Sequence, residues 1–444
     1  MRNSAFTSKR CVVKAFLLLY ASNFIRLSLR FTVPEVPVDL PLNVLEASKP
    51  PNCNGVKRAA HFADILPILP TAARNSSSNR TGPKKEALRS LFHRTDKYGW
   101  IDVVALPWKS VPKMRASAET IMGRNVTCAY SKVERDGQRL PTDDLEFCMW
   151  SRDIVSNKSL DNFSFEKNHW MWAARAFENL HSRYPDMLKD PCQSLGFLDI
   201  GANVGDWISP IRLLAPNVPM YGIEGSPSTA AIAAANFRTA VECHNLHLVS
   251  RNVPSKILPF ALTNWGHLEA LEDFGGMCFS RPTFSRKTNA VNIGGRRAEY
   301  RKECPVVDSA GATTLEHALQ GMIPSACPNH NWPSIYIIKI DVEGHEFKAI
   351  SSAISWLSEN PPCYVVIEYW KHNSYVALVE LLLDVGYNAL WKPKDGNYPL
   401  DSKPWWTAAR GVDLQTQLKK SVGTYTELIF GTVDNDSCIR RLLR

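Results

Sequence analysis

A regular alternation of short apolar runs and amphipathic segments begins at Leu195 and continues to about residue 433. The apolar runs predict strands: GFLDIG, MYGIEG, SKILPFALTN, IYIIKID, CYVVIEYW, NALWKP and TYTELIFG. The segments between them predict helices: DWISPIRLLA, SPSTAAIAAANFRTA, TTLEHAL, EFKAISSAISWL and YVALVELLLDVG. Strands that alternate with helices form a mostly parallel sheet with helices on both faces. A polar loop joins the last two strands, so the pattern predicts a Rossmann-like α/β fold with a seven-stranded, mostly parallel sheet and an antiparallel hairpin at its edge.

The turn after the first predicted strand runs from Asp199 to Asp206 and contains Gly201 and Gly205. In such a sheet, ligands bind outside the carboxyl ends of the strands, where this turn lies. Gly201 allows a tight turn, and Gly205 lets the chain enter the next helix close to the sheet. The spacing GxxxG meets neither the three-glycine dinucleotide fingerprint nor the P-loop motif. The turn therefore predicts a ligand without a pyrophosphate.

An acidic residue, Glu224, ends the second predicted strand, 23 residues after Gly201. At this separation an acid can accept hydrogen bonds from a ribose diol. The glycine turn and Glu224 together predict an adenosine-containing ligand without a pyrophosphate. S-adenosylmethionine fits that description.

The fourth predicted strand ends in the charged stretch IIKIDVEGHE, residues 337–346. Methyl transfer needs proximity and in-line approach above all, and a hydroxyl acceptor also needs a positioned base. Asp341 closes the strand and is the first candidate for that base or for a substrate anchor. Glu343 and His345 are the second choices. We expect Glu346 to favour the start of the next helix through the helix dipole.

A divalent cation held by Asp341, Glu343 and Glu368 is an alternative use of these acids, since carboxylate oxygens suit magnesium or calcium. No spacing rule specifies such a site, so we predict no metal site. Lys339 lies inside the same apolar strand, and we expect it to pair with a neighbouring carboxylate, for example Glu368 on the adjacent strand.

The motifs DIGANVGDW, GIEGSP, ALTN, TTLEHAL and IKIDVEGHEFKAI occur in the order and spacing of a known family. Over about residues 195–433 the chain resembles the FkbM-type family of S-adenosylmethionine-dependent methyltransferases. KIDVEGHE is specific to that family, whereas the glycine motif is shared with many methyltransferases. The resemblance implies a class I methyltransferase fold and O-methylation, often of sugar or polyketide hydroxyls. It does not cover residues 1–160.

The resemblance also implies roles for particular residues. It assigns Asp199, Gly201, Asn203 and Gly205 to the methionine part of the cofactor, Glu224 to the ribose, and Thr263 or Asn264 to the adenine side. The chain departs from the family pattern at Gly225, where proline is common, at Asn264, where aspartate is common, and at Glu316, where the family usually has aspartate. These departures affect the adenine-side assignment more than the fold.

The basic excess of the chain lies mostly in its first residues. The formal net charge is +9, and residues 1–34 contribute six basic residues and no acid, which leaves +3 for the remainder. A small excess outside the leader argues against a nucleic-acid partner. The apolar centre of the leader is shorter than the roughly 20 residues of a membrane span. Its composition fits a secretory signal or signal anchor, and also an organellar transit peptide.

Cysteines and sequons favour the secretory interpretation. Apart from Cys11, the cysteines form an even set that allows disulfides in an oxidising lumen. N-glycosylation sequons occur at Asn75, Asn79, Asn125, Asn157, Asn162 and Asn435.

The sequence thus predicts a leader (1–34), a Pro/Ser-rich stem (35–87), an accessory region of unknown fold (88–165), a methyltransferase domain (166–434) and a tail (435–444). We expect an O-methyltransferase that is luminal or anchored to a membrane through its leader, in the Golgi, and that acts on a carbohydrate. One alternative is a plastid or mitochondrial enzyme with a small hydroxylated substrate. Another is an inactive cofactor-binding or scaffold protein.

Overall fold

The computed structural model describes most of the chain from Gly82 onward. The described residues are 82–131, 134–135, 138–139, 145–151, 153, 166–188, 194–243, 253–264, 276–279, 283–285, 290–292, 298–301, 309–323, 332–370, 373–393, 396–410, 413–421 and 425–443. They belong to one compact unit, Pro51–Arg444. The predicted leader lies outside the described residues, as does the predicted stem up to residue 81.

The strands of the described residues are numbered in chain order. They are β1 (Ile101–Asp102), β2 (Val126–Ser131), β3 (Glu134–Arg135), β4 (Gln138–Arg139), β5 (Leu145–Trp150), β6 (Gly196–Ile200), β7 (Met220–Ile223), β8 (Ser255–Leu258), β9 (Phe260–Leu262), β10 (Gly276–Phe279), β11 (Thr283–Ser285), β12 (Ala290–Asn292), β13 (Ala298–Arg301), β14 (Ser309–Thr313), β15 (Ile335–Ile340), β16 (Tyr364–Trp370), β17 (Ala389–Trp391), β18 (Trp406–Thr407) and β19 (Tyr425–Gly431).

The helices of the described residues are numbered in the same way. They are α1 (Gly82–Phe92), α2 (Val111–Met122), α3 (Lys167–Arg183), α4 (Ile208–Leu214), α5 (Pro227–Cys243), α6 (Leu315–Gln320), α7 (Glu346–Ser351), α8 (Ile354–Glu359), α9 (Asn373–Asp384), α10 (Leu414–Ser421) and α11 (Asn435–Leu442). The predicted helix EFKAISSAISWL is two helices, α7 and α8, because the chain breaks at Ser352 and Ala353.

The main sheet of the described residues has the strand order β1-β8-β7-β6-β15-β16-β19-β17-β18. The strands β8, β7, β6, β15 and β16 run parallel to one another, and β19 is antiparallel to both of its neighbours, β16 and β17. The order reverses between β6 and β15, which places a ligand crevice at the carboxyl ends of these two strands.

The prediction of seven strands is wrong at the edges, where the sheet gains two strands. β1 pairs antiparallel with β8, and β18 pairs antiparallel with β17. Each of these strands has two residues, and so short a segment shows no hydrophobic period. The predicted strand SKILPFALTN also divides at Pro259, which has no N–H for the ladder. Its second half, β9, pairs with β14 in a separate sheet.

Side chains of the central strands alternate between two cores, as expected for a sheet covered on both faces. Phe197, Ile337 and Val366 pack on one side with α3, α4, α5 and α11. Leu198 and Ile338 pack on the other side with helices α6 to α10.

The described part of the accessory region packs on the first of these cores. The side-chain amide of Asn236 in α5 is fully buried and bonds both backbone groups of Cys148 in β5, at 2.9 and 2.7 Å. The same amide donates to Val204 O in the glycine turn at 2.8 Å. Asn236 therefore ties β5 to the turn that begins α4.

Two disulfides occur among the described residues. Cys128 and Cys148 join β2 to β5, and Cys363 and Cys438 join the start of β16 to α11. Each closes a loop of the chain and so limits the freedom of the unfolded state. Within the described ranges, no helix has both the length and the apolar character needed to cross a membrane.

Candidate active site

The glycine turn after β6 packs directly against the end of β15. Gly201 has φ +83°, and a Cβ atom on it would lie 1.7 Å from the backbone oxygen of Asp341. The N–H of Asp341 in turn donates to Ile200 O at 2.8 Å. Only glycine fits this position, because a side chain would meet backbone in a conformation that other residues rarely adopt. The two ligand-binding strand ends are thus held in contact.

Glu224 follows β7 and is oriented by the backbone around it. One carboxylate oxygen accepts from the N–H of Asn203 at 3.0 Å, and the other accepts from the N–H of Ser226 at 2.8 Å. Asn203 itself adopts a left-handed φ of 48°. Each carboxylate oxygen retains acceptor capacity for a ligand hydroxyl.

The segment after β15 is a tight turn fixed by Glu346. Glu343 and Gly344 both have positive φ, 50° and 92°. The buried Glu346 side chain accepts from the N–H groups of Val342 and Gly344, at 3.3 and 3.0 Å. Burial raises the pKa of Glu346. Glu346 therefore starts α7 and also holds the loop that presents Asp341, Glu343 and His345.

These elements surround a cleft of about 560 Å³, including its open mouth. The residues that line the cleft are Gly201, Ile223, Glu224, Gly225, Phe260, Ala261, Leu262, Phe279, Asp341, Val342, Glu343 and His345.

The structure brings the predicted residues Gly201, Glu224, Asp341, Glu343 and His345 together on this one cleft. Their assembly follows from strand ends that share one edge of the sheet.

The other predicted cofactor residues lie around the cleft. Asp199 is fully buried at the end of β6. Asn203 and Gly205 belong to the glycine turn. Thr263 and Asn264 follow the lining residue Leu262; Thr263 is buried and Asn264 is exposed.

Aromatic and apolar residues of the cleft were missed from the sequence. Phe279 lies in β10, far from the glycine turn along the chain, and Phe260 and Ala261 lie in β9. A Cβ on Gly225 would come within 2.9 Å of the Phe279 ring and 3.3 Å of Ala261. This contact accounts for glycine at the position after the ribose acid. In the sequence, the glycine at position 225, where the family commonly has proline, was the available sign that another segment packs closely there.

A buried lysine connects the two sides of the cleft. The Lys339 ammonium donates to Gly201 O at 3.2 Å and to Asp341 Oδ2 at 3.3 Å, and it lies 3.6 Å from Asp199 Oδ1. In β16 the residue beside Lys339 is Val366, whereas Glu368 lies beside Glu427 of β19. Burial acts to lower the pKa of Lys339, but the surrounding carboxylates outweigh it and hold that pKa well above 10.5.

More carboxylates than cations surround Lys339. Burial raises the pKa of Asp199 to about 6, against the opposing charge of Lys339. Burial likewise raises the pKa values of Asp206 and Glu166, and Lys339 again opposes it. Both carboxylate oxygens of Asp199 are buried and make no hydrogen bond. These carboxyl groups thus depend on the Lys339 ammonium to offset the cost of their burial.

Glu166 enters the site from α3, which the glycine and strand motifs do not predict. Its carboxylate accepts from the Trp207 indole N–H at 2.5 Å. The Trp207 ring stacks on Phe197 and lies 5.8 Å from the Lys339 ammonium. The hydrogen bond thereby links the start of α3 to the residue that precedes α4.

The acids considered for a metal do lie together. Single carboxylate oxygens of Asp341, Glu343 and Glu368 are all within 4.8 Å of one another. Such clusters are common on protein surfaces without an ion, and Lys339 already supplies a positive charge to Asp341. The cluster alone therefore does not define a metal site.

The strand order, the glycine turn and the acid at the end of β7 define a Rossmann-like α/β fold with a cleft at the carboxyl ends of its strands. Residues 199–389 match the family model of the methyltransferase FkbM domain. The match covers less than half of the chain, and over these residues the chain resembles methyltransferase FkbM domains, as the motifs predicted.

Solved structures of methyltransferases show a weak overall likeness. The precorrin-6y C5,15-methyltransferase of Geobacter metallireducens GS-15 is 12% identical over 54% of this chain and 82% of its own, with a TM-score of 0.22. The plantazolicin methyltransferase BpumL in complex with SAH is 12% identical over 63% and 91%, with a TM-score of 0.26. Phosphoethanolamine N-methyltransferase 2 of Haemonchus contortus is 10% identical over 74% and 75%, with a TM-score of 0.23. No curated protein matches the sequence.

Proposed function

We propose that the chain transfers a methyl group from S-adenosylmethionine to a hydroxyl oxygen of a carbohydrate, with Asp341 as the base. The observation that carries this proposal is the position of Asp341. Its carboxylate is 30% exposed, lines the cleft, and lies at the strand end against which Gly201 packs. A cofactor held by the glycine turn and Glu224 would lie beside it.

S-adenosylmethionine, when bound, supplies a methyl group on a positively charged sulfur. Glu224 would accept hydrogen bonds from the ribose hydroxyls, and the backbone around Gly201 would accept close approach of the methionine part. Asp341 would take the proton of the acceptor hydroxyl as the oxygen gains its methyl group. Lys339 keeps the Asp341 carboxylate in place through the 3.3 Å contact.

The reaction is tested by incubating the full chain with methyl-labelled S-adenosylmethionine and a panel of glycans and small hydroxylated acceptors, with and without a chelator. We expect label in neutral glycans with chelator present. Label only in small non-carbohydrate hydroxyl compounds would contradict the carbohydrate assignment. Label only without chelator would assign a metal to the acidic cluster.

The Glu224→Gln variant tests the cofactor side of the cleft. Its amide nitrogen would face the N–H of Asn203 or Ser226, so one backbone bond and part of the ribose contact are lost. We expect the Kd for S-adenosylmethionine, measured by calorimetry, to rise by about 10–100-fold. The matched control Glu380→Gln, exposed on α9, should leave the Kd unchanged. An unaltered Kd in Glu224→Gln would remove Glu224 from the site, and a wild type that does not bind the cofactor would favour a scaffold role.

We also propose that the chain folds in the secretory pathway and works in the Golgi. The two disulfides support an oxidising compartment. Two described sequons differ in access. Asn125 is exposed between α2 and β2, whereas the Asn435 amide donates to the hydroxyl of buried Tyr336 at 3.2 Å.

This difference predicts a glycan on Asn125 and none on Asn435. In secreting cells, the Asn125→Gln variant should migrate faster on a gel than the wild type by the mass of one glycan, and glycosidase treatment should abolish this difference. The Asn435→Gln variant should migrate like the wild type. An unshifted Asn125→Gln variant would contradict the prediction. Import into a plastid or mitochondrion of a fluorescent protein fused to roughly the first 40 residues would contradict the compartment.

A further inference from the structure

A fully buried asparagine in α5 bridges the accessory region and the glycine turn. The side-chain oxygen of Asn236 accepts from the N–H of Cys148 at 2.9 Å. Its amide nitrogen donates to Cys148 O at 2.7 Å and to Val204 O at 2.8 Å. Both N–H donors of the amide are therefore in use, each toward a different segment of the chain. An acceptor and two donors in one short planar group are found only in an amide side chain, so the position requires one.

Val204 lies in the part of the glycine turn that would hold the cofactor. It is buried and follows Asn203, whose N–H donates to the Glu224 carboxylate at 3.0 Å. The next residue, Gly205, packs closely on α5, because a Cβ atom on it would lie 3.5 Å from Ala233 O. A shift of Val204 would therefore move the N–H that orients Glu224, and it would separate a buried carbonyl from the Asn236 donor.

The strand β5 also reaches Glu224 through the start of α5. The Trp150 indole N–H donates to Thr229 Oγ1 at 3.3 Å. The backbone N–H of Thr229 donates to Ser226 Oγ at 3.4 Å, and the backbone N–H of Ser226 donates to Glu224 at 2.8 Å. Trp150, Thr229 and Ser226 are all buried. Hydrogen bonds thus connect β5 with both elements that would hold the cofactor, the glycine turn and the ribose acid.

The strand β5 is itself held in place by a covalent bond. It is paired along its whole length with β2, and Cys148 lies directly opposite Cys128, to which it is joined by a disulfide. Five of its six residues are buried. Among the described residues that line the cleft, none belongs to β5. Any effect of β5 on a ligand in the cleft must therefore pass through residues such as Asn236.

We propose that Asn236 is a positioning residue for the cofactor, which fixes the glycine turn to the disulfide-bonded strand β5 and so makes the affinity for S-adenosylmethionine depend on the accessory region. The inference rests on the part of the proposed function that places S-adenosylmethionine in the cleft. It gives a role in cofactor binding to a part of the chain that the family resemblance does not cover.

Hydrogen–deuterium exchange of the full wild-type chain tests this coupling, because the influence of two sites on each other is reciprocal. Saturating S-adenosylmethionine should slow the exchange of peptides that contain residues 145–150, although β5 does not line the cleft. A residue that served packing alone would not transmit this protection. The measurement needs no variant, so it decides the inference even where a substitution of Asn236 prevents folding.

The Asn236→Asp variant removes the coupling with little change in size. Aspartate keeps an acceptor for the N–H of Cys148 but replaces both donors by an oxygen that faces two carbonyl groups. The protection of β5 by the cofactor should be lost. The Kd for S-adenosylmethionine, measured by calorimetry on folded protein, should rise by about 5–50-fold, within the usual range of coupling between two sites.

Arg238 provides the matched control. It is buried on the same helix, donates to Leu106 O of the accessory region at 2.9 Å and pairs with Glu242, and neither partner belongs to the glycine turn. The Arg238→Met variant should be less stable than the wild type, but its Kd should stay within about twofold, as for a change at an independent site. The cofactor should still protect β5 in this variant.

Three results would overturn the inference: unchanged exchange of wild-type residues 145–150 at saturating cofactor, an unchanged Kd in Asn236→Asp, or equal increases in Kd in Asn236→Asp and Arg238→Met. Methyl transfer to a glycan without the coupling would contradict this inference alone. The coupling without methyl transfer to any glycan would contradict the proposed function alone. A wild type that does not bind S-adenosylmethionine would contradict both.

Discussion

Replacing Asp341 by asparagine is expected to lower kcat by about 10²–10⁴-fold, the usual contribution of a positioned base. Asparagine has nearly the same shape but cannot take up the proton of the acceptor hydroxyl. Cofactor binding should persist, because the contact with Gly201 involves the backbone oxygen of Asp341 and not its side chain. Steady-state transfer of a labelled methyl group gives kcat, and calorimetry gives the Kd for S-adenosylmethionine.

Variants of other acidic residues distinguish proton transfer by Asp341 from a general effect of negative charge in the cleft. Asp384→Asn, exposed at the end of α9, should retain full activity. Glu343→Gln also removes a negative charge from the cleft and should cost less than Asp341→Asn. Full activity of Asp341→Asn would refute its role, and an equal loss in Glu343→Gln would show that the charge of the loop matters more than proton transfer by one residue.

The cofactor side of this site was predictable because its determinants are local. A strand of apolar residues, a glycine turn and an acid at the next strand end are contiguous in sequence, and parallel strands bring their carboxyl ends to one edge. Gly201, Glu224 and Asp341 therefore meet as expected. The glutamate at the start of α7 was also expected there, although the hydrogen bonds of Glu346 to the preceding turn needed the structure.

The remaining features depend on contacts between distant parts of the chain. Glu166, the residue before α3, comes near Lys339 and Asp341 only through the tertiary packing of segments that are distant in sequence. The pairing of Glu368 with Glu427 follows from the position of β19 between β16 and β17. The hydrophobic periodicity of β16 or of β19 does not specify which residues of the two strands lie opposite each other. The edge strands β1 and β18 were missed for the same reason, since two residues acquire a strand conformation only through a partner.

The Lys339→Met variant should show the largest loss of stability, about 3–5 kcal/mol near neutral pH, as when one partner of a buried ion pair is removed. Lys339 is 7% exposed, and its ammonium is the cation shared by Asp199 and Asp341. Methionine has similar length but leaves the buried carboxylates without a nearby positive charge. Chemical denaturation gives the free energy of unfolding of both proteins.

The deficit of Lys339→Met should shrink as the pH falls. Burial raises the pKa values of Asp199, Asp206 and Glu166, and the positive charge of Lys339 partly lowers them again. Removal of that charge in the variant should therefore raise these pKa values further. A carboxyl group whose pKa is higher in the folded state than in the unfolded state binds protons more tightly in the folded state. The folded state therefore gains stability relative to the unfolded state as the pH falls toward the unfolded pKa. The difference between variant and wild type should thus be smaller at about pH 5.5 than at about pH 7.5.

Two further variants make this result specific to the buried charge. Lys348→Met makes the same change at an exposed position of α7 and should alter stability by no more than about 0.5 kcal/mol. Lys339→Arg keeps the charge and should show a smaller deficit with little dependence on pH. An equal deficit of Lys339→Met at both pH values would mean that the lysine acts through packing alone. In that case the carboxylates around Lys339 would not depend on its charge.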